Sequence, residues 1–234
     1  MTTLHTRLAR VTFPQPEHVH HAPFPLLTLK DTTHSLAKPD TVIHISAADP
    51  TQSLTVSRAH VLTEATSSAL RKHFKIGANG AGKDVVSVIS TGHYLLPVLS
   101  YGIIGVGGVF SAASAASTAS ELSKQIRGAE SKLLCCVEGT REVAVKAAEE
   151  AGWGRNGGGR VVIMGEEEWS LKVVQTDGRS GPNLINKSQR LPWEKITDPT
   201  TLDNSLVVLI YSSGTTGLPK GAFFITHLPV SQLT

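Results

Sequence analysis

Leu206-Val-Val-Leu-Ile-Tyr-Ser-Ser-Gly-Thr-Thr-Gly-Leu-Pro-Lys-Gly221 joins a continuous apolar run to a turn made of hydroxyls, glycines and one lysine. Leu206 to Tyr211 shows no polar alternation. That is the pattern of a strand covered on both faces, as in a parallel sheet. The turn therefore stands at a strand's carboxyl end, where open α/β sheets place their ligands. Its chemistry suits a polyphosphate. Gly214 and Gly217 let the backbone approach closely and turn N–H groups inward. Ser212, Ser213, Thr215 and Thr216 crowd four hydroxyls into five positions, and Lys220 adds a point charge for phosphate oxygens. Each hydrogen bond to a charged group is worth roughly 1.5–3 kcal/mol, so several together can hold a triphosphate. Pro219 stiffens the exit. The alternative is an ordinary solvated turn, which rarely carries this order of residues behind such a strand.

Working back from that strand, helices and strands alternate. Ser57 precedes an amphipathic run with Val61, Leu62, Ala65, Ala69 and Leu70 near helical spacing. Asp84 to Ser90 is a β-branched strand, and His93 to Gly105 is apolar and helical. Thr118 and Glu121 form a capping box for a helix carrying Leu122 and Ile126. Leu133 to Val137 and Arg160 to Met164 read as strands. Arg141 to Ala151 reads as a helix with Gly152 at its carboxyl cap. Residues 155–159 and 177–189 read as loops. Apolar strands separated by helices predict an α/β fold, a mostly parallel sheet layered with helices. Residues 1–40, rich in Pro, His and Thr, read as an extended leader.

A second glycine loop, Gly77-Ala-Asn-Gly-Ala-Gly-Lys83 followed by Asp84, nearly fits the nucleotide P-loop pattern. Two features oppose that reading. An Asp occupies the Mg-binding hydroxyl position, and the loop follows a helix and precedes a strand. A phosphate loop needs the reverse order, so that a helix N-terminus faces the phosphate. The expectation is an ordinary turn.

The chain has 234 residues, 40% hydrophobic, 18% charged and 5% aromatic, with a formal net charge of +3. That composition is globular, with a core resting on Val, Ile, Leu and Ala. The small charge and the lack of a basic stripe argue against a nucleic-acid partner. Cys135 and Cys136 are adjacent on a strand and point to opposite faces. A disulfide between them is not expected, and no spacing suits zinc. His18, His20 and His21 lack acidic or cysteine partners and read as a solvated segment. No secretory signal and no carboxyl-terminal peroxisomal address is present, leaving a cytoplasmic or peroxisomal location as the expectation. Residues 94–120 carry no charge, but their strongly apolar part is shorter than a membrane span requires. The expectation there is a buried helix running into a Gly/Ala/Ser loop.

At Tyr211-Ser-Ser-Gly-Thr-Thr-Gly-Leu-Pro-Lys-Gly221 the sequence resembles the AMP-binding signature of adenylate-forming enzymes, especially acyl-CoA synthetases and 4-coumarate–CoA ligases. Thr226-His227 falls where that family has a Ser/Thr-His pair, which places His227 on the substrate side. Leu54 to Arg58, Tyr101 to Phe110, Glu121 to Ile126 and Leu191 to Glu194 resemble further family segments in the same order. The resemblance assigns residues 41–227 to the amino-terminal part of the family's large domain, and leaves 228–234 as an off-pattern tail. It implies ATP, Mg²⁺ and CoA as cofactors, and ATP-dependent activation of a carboxylic acid to an acyl-adenylate, followed by transfer to CoA. The ATP β- and γ-phosphates fall to Ser212, Ser213, Gly214, Thr215, Thr216, Gly217 and Lys220.

Several family segments have no match in these residues: the Gly-Tyr-Gly-x-Thr-Glu and Tyr-x-Thr-Gly-Asp stretches and the mobile domain with its catalytic lysine. A truncated ligase, inactive alone and with exposed strand edges that favour aggregation, is therefore the expectation. The alternative is a nucleotide-binding module without catalysis. A third reading is a membrane-associated structural protein built around residues 94–120.

Overall fold

The computed structural model describes residues 38–165, 168–192, 200, 205–212 and 220–225, the last stretch and Ser212 as backbone. The leader at 1–37, residues 213–219 and the Thr226-His227 pair lie outside the described residues.

A small antiparallel pair, β1 (Val42–Ile45) and β2 (Ser53–Thr55), leads into helix α1 (Val56–Phe74). Thr55 caps α1 through its hydroxyl, which accepts the Arg58 N–H. The start therefore lies just ahead of Ser57. The chain then builds an eight-stranded sheet in the order β10-β9-β4-β3-β5-β6-β7-β8. Its members are β3 (Asp84–Ile89), β4 (Gly108–Ala113), β5 (Leu133–Cys136), β6 (Val161–Met164), β7 (Leu171–Val174), β8 (Ser180–Asn183), β9 (Leu206–Ser212) and β10 (Lys220–Ile225). The run β9-β4-β3-β5-β6 is parallel. Strands β10, β7 and β8 join antiparallel at the edges. This is the mostly parallel α/β sheet that the apolar strands imply.

Helices cover both faces. Helices α1 and α2 (Leu96–Gly105) lie over one core, which contains Val86, Val88, Leu133, Cys135, Val162, Met164 and Trp169. Helices α3 (Ala119–Gly128) and α4 (Arg141–Glu150) lie over the other, with Ile89, Leu134, Cys136, Val161 and Ile163. Cys135 and Cys136 thus enter opposite cores as free buried thiols, as strand alternation requires. Trp169 is buried, and its indole N–H donates to Thr66 Oγ1 at 2.9 Å; that hydroxyl donates in turn to the Leu62 carbonyl at 2.7 Å.

Three local expectations change. Helix α2 begins at Leu96 rather than His93, with Pro97 in its first turn, and His93 instead accepts the Leu95 N–H on its Nδ1 at 3.2 Å. Residues after α2 form β4, not a loop. Its Gly, Ser and Ala residues have weak strand preference, but six consecutive pairs with β3 settle the conformation. Small residues are needed there, because a Cβ on Gly108 would lie 2.7 Å from Ile76 Cγ2. Within 177–189, Ser180–Asn183 forms the edge strand β8, where Pro182 is tolerated because the strand is paired on one side only, with β7. Residues 94–120 do not form a helical membrane span, in line with the expectation. Helix α2 has 10 residues, about 15 Å of rise against a hydrocarbon core of about 30 Å, and gives way to a strand. No helix among the described residues is long and apolar enough to cross a membrane.

Candidate functional site

Parallel pairing sends the carboxyl ends of β3, β4, β5 and β9 to one edge of the sheet. From β3 the chain runs out to β4 on one side and then crosses to β5 on the other. The order reverses at β3, so the crevice outside these carboxyl ends is where a doubly wound sheet takes its ligand. Three connections follow these carboxyl ends in sequence, the third of them outside the described residues. Residues 90–95 follow β3. Residues 114–118 follow β4, folded on themselves by Ser117 N–H to Ser114 O at 3.0 Å and Ala116 N–H to Ser114 Oγ at 3.2 Å. Residues 213–219 follow β9.

The residues that flank 213–219 both lie in strands. Strand β9 pairs with β4 in parallel, Phe110 with Val208, Ser111 with Leu209 and Ala112 with Ile210. Beyond the turn the chain returns as β10, antiparallel to β9, with Lys220 opposite Ser212 and Gly221 opposite Tyr211. Ser212 and Lys220 are therefore neighbours across the neck of the loop, with Cα atoms about 4.5–5.5 Å apart by ladder geometry. Of the candidate residues, the structure brings these two together. Ser213, Gly214, Thr215, Thr216, Gly217 and His227 fall outside the described residues. The strand β10 carries little signal of its own in Lys-Gly-Ala-Phe-Phe-Ile; the missing cue was its partner β9.

Tyr211, one residue before the neck, is half-buried beside Leu209, Val109 and Ala129. Burial pushes its phenol above the ordinary value, so it stays a neutral O–H. Its hydroxyl lies near Gly128 of α3, 3.6 Å from where a Cβ would stand. Helix α3 enters at this edge through the expected capping box. Thr118 N–H donates to Glu121 Oε2 at 2.8 Å, and Glu121 N–H donates to Thr118 Oγ1 at 3.3 Å.

The other glycine loop lies at the opposite, amino-terminal edge of the sheet. Asp84, 1% exposed, accepts the Gly77 N–H at 2.7 Å and pairs with Lys132. Arg71 donates from Nε to Ile76 O at 2.8 Å and from Nη2 to Val106 O at 2.9 Å. A Cβ on Gly82 would lie 2.5 Å from the Leu206 nitrogen. These contacts make a knot that joins α1, α2 and the start of β9. Its acidic group, turned inward onto a backbone amide, does not present a phosphate site.

Against known proteins, the chain matches the AMP-binding enzyme family over residues 32–233. A protein of Emericella nidulans that carries the name acyl-coenzyme A synthetase is 40% identical over 204 residues, covering 87% of this chain and 36% of that protein. The 4-coumarate–CoA ligase-like 9 protein of Oryza sativa subsp. japonica is 28% identical over 225 residues, covering 93% of this chain and 37% of that protein. Among solved structures, ATP-bound MatB from Rhodopseudomonas palustris shares the fold with a TM-score of 0.59 at 20% identity, over 88% of this chain and 35% of that one. The chain spans about a third of the length of the curated relatives it matches. With its mostly parallel sheet and a family match that runs over residues 32–233, this chain belongs to the AMP-binding enzyme family, whose relatives here are acyl-CoA synthetases and ligases.

Proposed function

We propose that this chain supplies the grip on the ATP tail in an AMP-forming acid–thiol ligase. One observation carries the proposal: residues 213–219 are flanked by Ser212, at the carboxyl end of a strand parallel to β4, and by Lys220, its partner in the ladder between β9 and β10; that strand is only partly covered, with Leu209 buried and Ile210 exposed. The donor set fits a polyphosphate. Residues 211–221 hold hydroxyls, glycine amides and a lysine, and no carboxylate. A metal is therefore expected to arrive on the phosphates rather than on protein ligands in this loop. Mg²⁺ so carried supplies charge neutralisation between phosphate oxygens.

In the proposed reaction a carboxylate oxygen bonds to the α-phosphorus of ATP, and the bond from that phosphorus to the bridging oxygen breaks. Pyrophosphate leaves with the electron pair. A thiol, CoA, then attacks the acyl carbon and AMP departs. Negative charge grows on the departing pyrophosphate in the first step. Donors fixed beforehand at the β- and γ-phosphates, from Ser212, Ser213, Gly214, Thr215, Thr216, Gly217 and Lys220, stabilise that charge without reorganising. His227 falls on the acid side of this scheme. The acid-side and ribose segments of the family have no match among the 234 residues. The chain by itself is accordingly expected to hold Mg-ATP and to release no pyrophosphate.

Calorimetric titration tests this. Mg-ATP should bind saturably, and adenosine, which lacks the tail, should not compete. Equal behaviour of ATP and adenosine would remove the phosphate grip. Carboxylate-dependent pyrophosphate release by the purified chain would contradict the division of labour and favour a complete ligase.

A further inference from the structure

Gln125 lies on α3, 8% exposed, with its side chain turned toward the end of β4. Its carboxamide nitrogen donates to Ala112 O at 3.0 Å and to Ser111 Oγ at 3.3 Å. Both acceptors sit on the last turn of β4 before the ligand edge, and Ser111 is fully buried. The same two residues pair with Leu209 and Ile210 of β9. Two residues past Ile210 is Ser212, where the neck of the loop closes against Lys220. Three residues beyond Gln125, Gly128 leaves room for the hydroxyl of Tyr211, the residue before Ser212. Helix α3 therefore touches the root of the loop from two directions, through a polar bond to β4 and through close packing on β9.

We infer that Gln125 is a positioning residue for Ser212: its amide fixes the carboxyl end of β4, which sets the height and register at which β9 delivers Ser212 to the ligand edge. This rests on the phosphate-grip reading above. A helix–sheet contact made only for packing needs no donor here, since Leu122, Ile126 and Ala129 already supply the apolar face of α3. The amide does what they do not. It ties a strand carbonyl and a buried serine to the helix in a fixed direction. A buried amide satisfied in this way holds geometry more strictly than apolar contact, which is not directional.

The test compares the wild-type chain with Gln125→Met, which keeps the length of the side chain and removes both donors. A control, Trp169→Phe, deletes the buried indole N–H that donates to Thr66 Oγ1 at 2.9 Å, in the core on the other face of the sheet from α3. Mg-ATP affinity, melting temperature and amide exchange are read for each. Gln125→Met should weaken Mg-ATP binding by about threefold to tenfold, the worth of one or two ordinary hydrogen bonds. It should also speed exchange at residues 209–212 while leaving β5 and β6 unchanged. The Trp169 control should lower the melting temperature and leave Mg-ATP affinity as it was. If Gln125→Met binds as tightly as wild type, or if both variants lose affinity in step with their melting temperatures, the positioning role is overturned. If the wild-type chain itself fails to bind Mg-ATP, the phosphate-grip reading fails and takes this inference with it, an outcome visible before any variant is made.

Discussion

Lys220 stands opposite Ser212 in the antiparallel ladder between β9 and β10, so the ammonium-bearing residue and the first hydroxyl of the loop share one rung. The pairing fixes the two residues that flank 213–219 at adjacent backbone positions of one ladder.

On the proposed phosphate grip, replacing Lys220 with alanine would remove one charge-assisted contact to the ATP tail. The expected loss is roughly 1.5–3 kcal/mol, or about tenfold to a hundredfold in the Mg-ATP dissociation constant. Calorimetry reads it directly. Circular dichroism should be unchanged, because the ladder needs only the backbone of residue 220.

The first glycine loop predicts the opposite pattern. Lys83 is exposed at the amino edge of the sheet, and Lys83→Ala should leave Mg-ATP binding unaltered. Asp84→Ala strips the partner from the Gly77 N–H and from Lys132. It should cost about 1–3 kcal/mol of stability in urea unfolding, the penalty for a buried donor left without an acceptor. A Lys83 variant with weakened nucleotide binding would revive this loop as a site.

The two thiols should be silent in the native protein. Burial pushes the Cys136 thiol up to about 12, and burial, with neighbouring Cys136, pushes Cys135 higher still. Ellman's reagent at pH 8 should therefore find no reactive thiol in the folded chain and both in guanidinium. Fast labelling without denaturant would show that the sheet opens readily between its two cores.

Acid should loosen the start of α3. The Thr118 N–H, and then its hydroxyl, hold the Glu121 carboxyl below its ordinary value of 4.5. The cap is fully present above that value and is lost as pH falls through the lower folded one. Amide protection factors at residues 118–122 should drop in that acid range, and Thr118→Ala should reproduce the drop at neutral pH with a cost of about 1 kcal/mol. Protection that is independent of both changes would mean that tertiary contacts, not the box, fix the helix start.

Much of the fold is legible where residues carry their own preference. Val85, Val86 and Val88 spell β3, Val161 to Ile163 spell β6, and Thr118 with Glu121 announces α3. The rest is set by neighbours. Gly108 and Ala112 form a strand because β3 and β9 flank them, and Ser180 to Asn183 because β7 offers an edge. Such pairing is non-local and leaves little trace in a window of sequence. The candidate site divides the same way. The hydroxyls, glycines and lysine of the loop show their chemistry in the sequence alone. That Lys220 opens a returning strand, and that Gln125 braces the neighbouring strand, depends on which elements meet.

Phosphorus NMR of Mg-ATP with the chain tests the grip most directly. The β- and γ-phosphorus resonances should shift and broaden on addition of wild-type protein, more than the α resonance, and Lys220→Ala should largely abolish the change. Unperturbed β and γ signals at saturating protein, or a response that Lys220→Ala leaves intact, would contradict it.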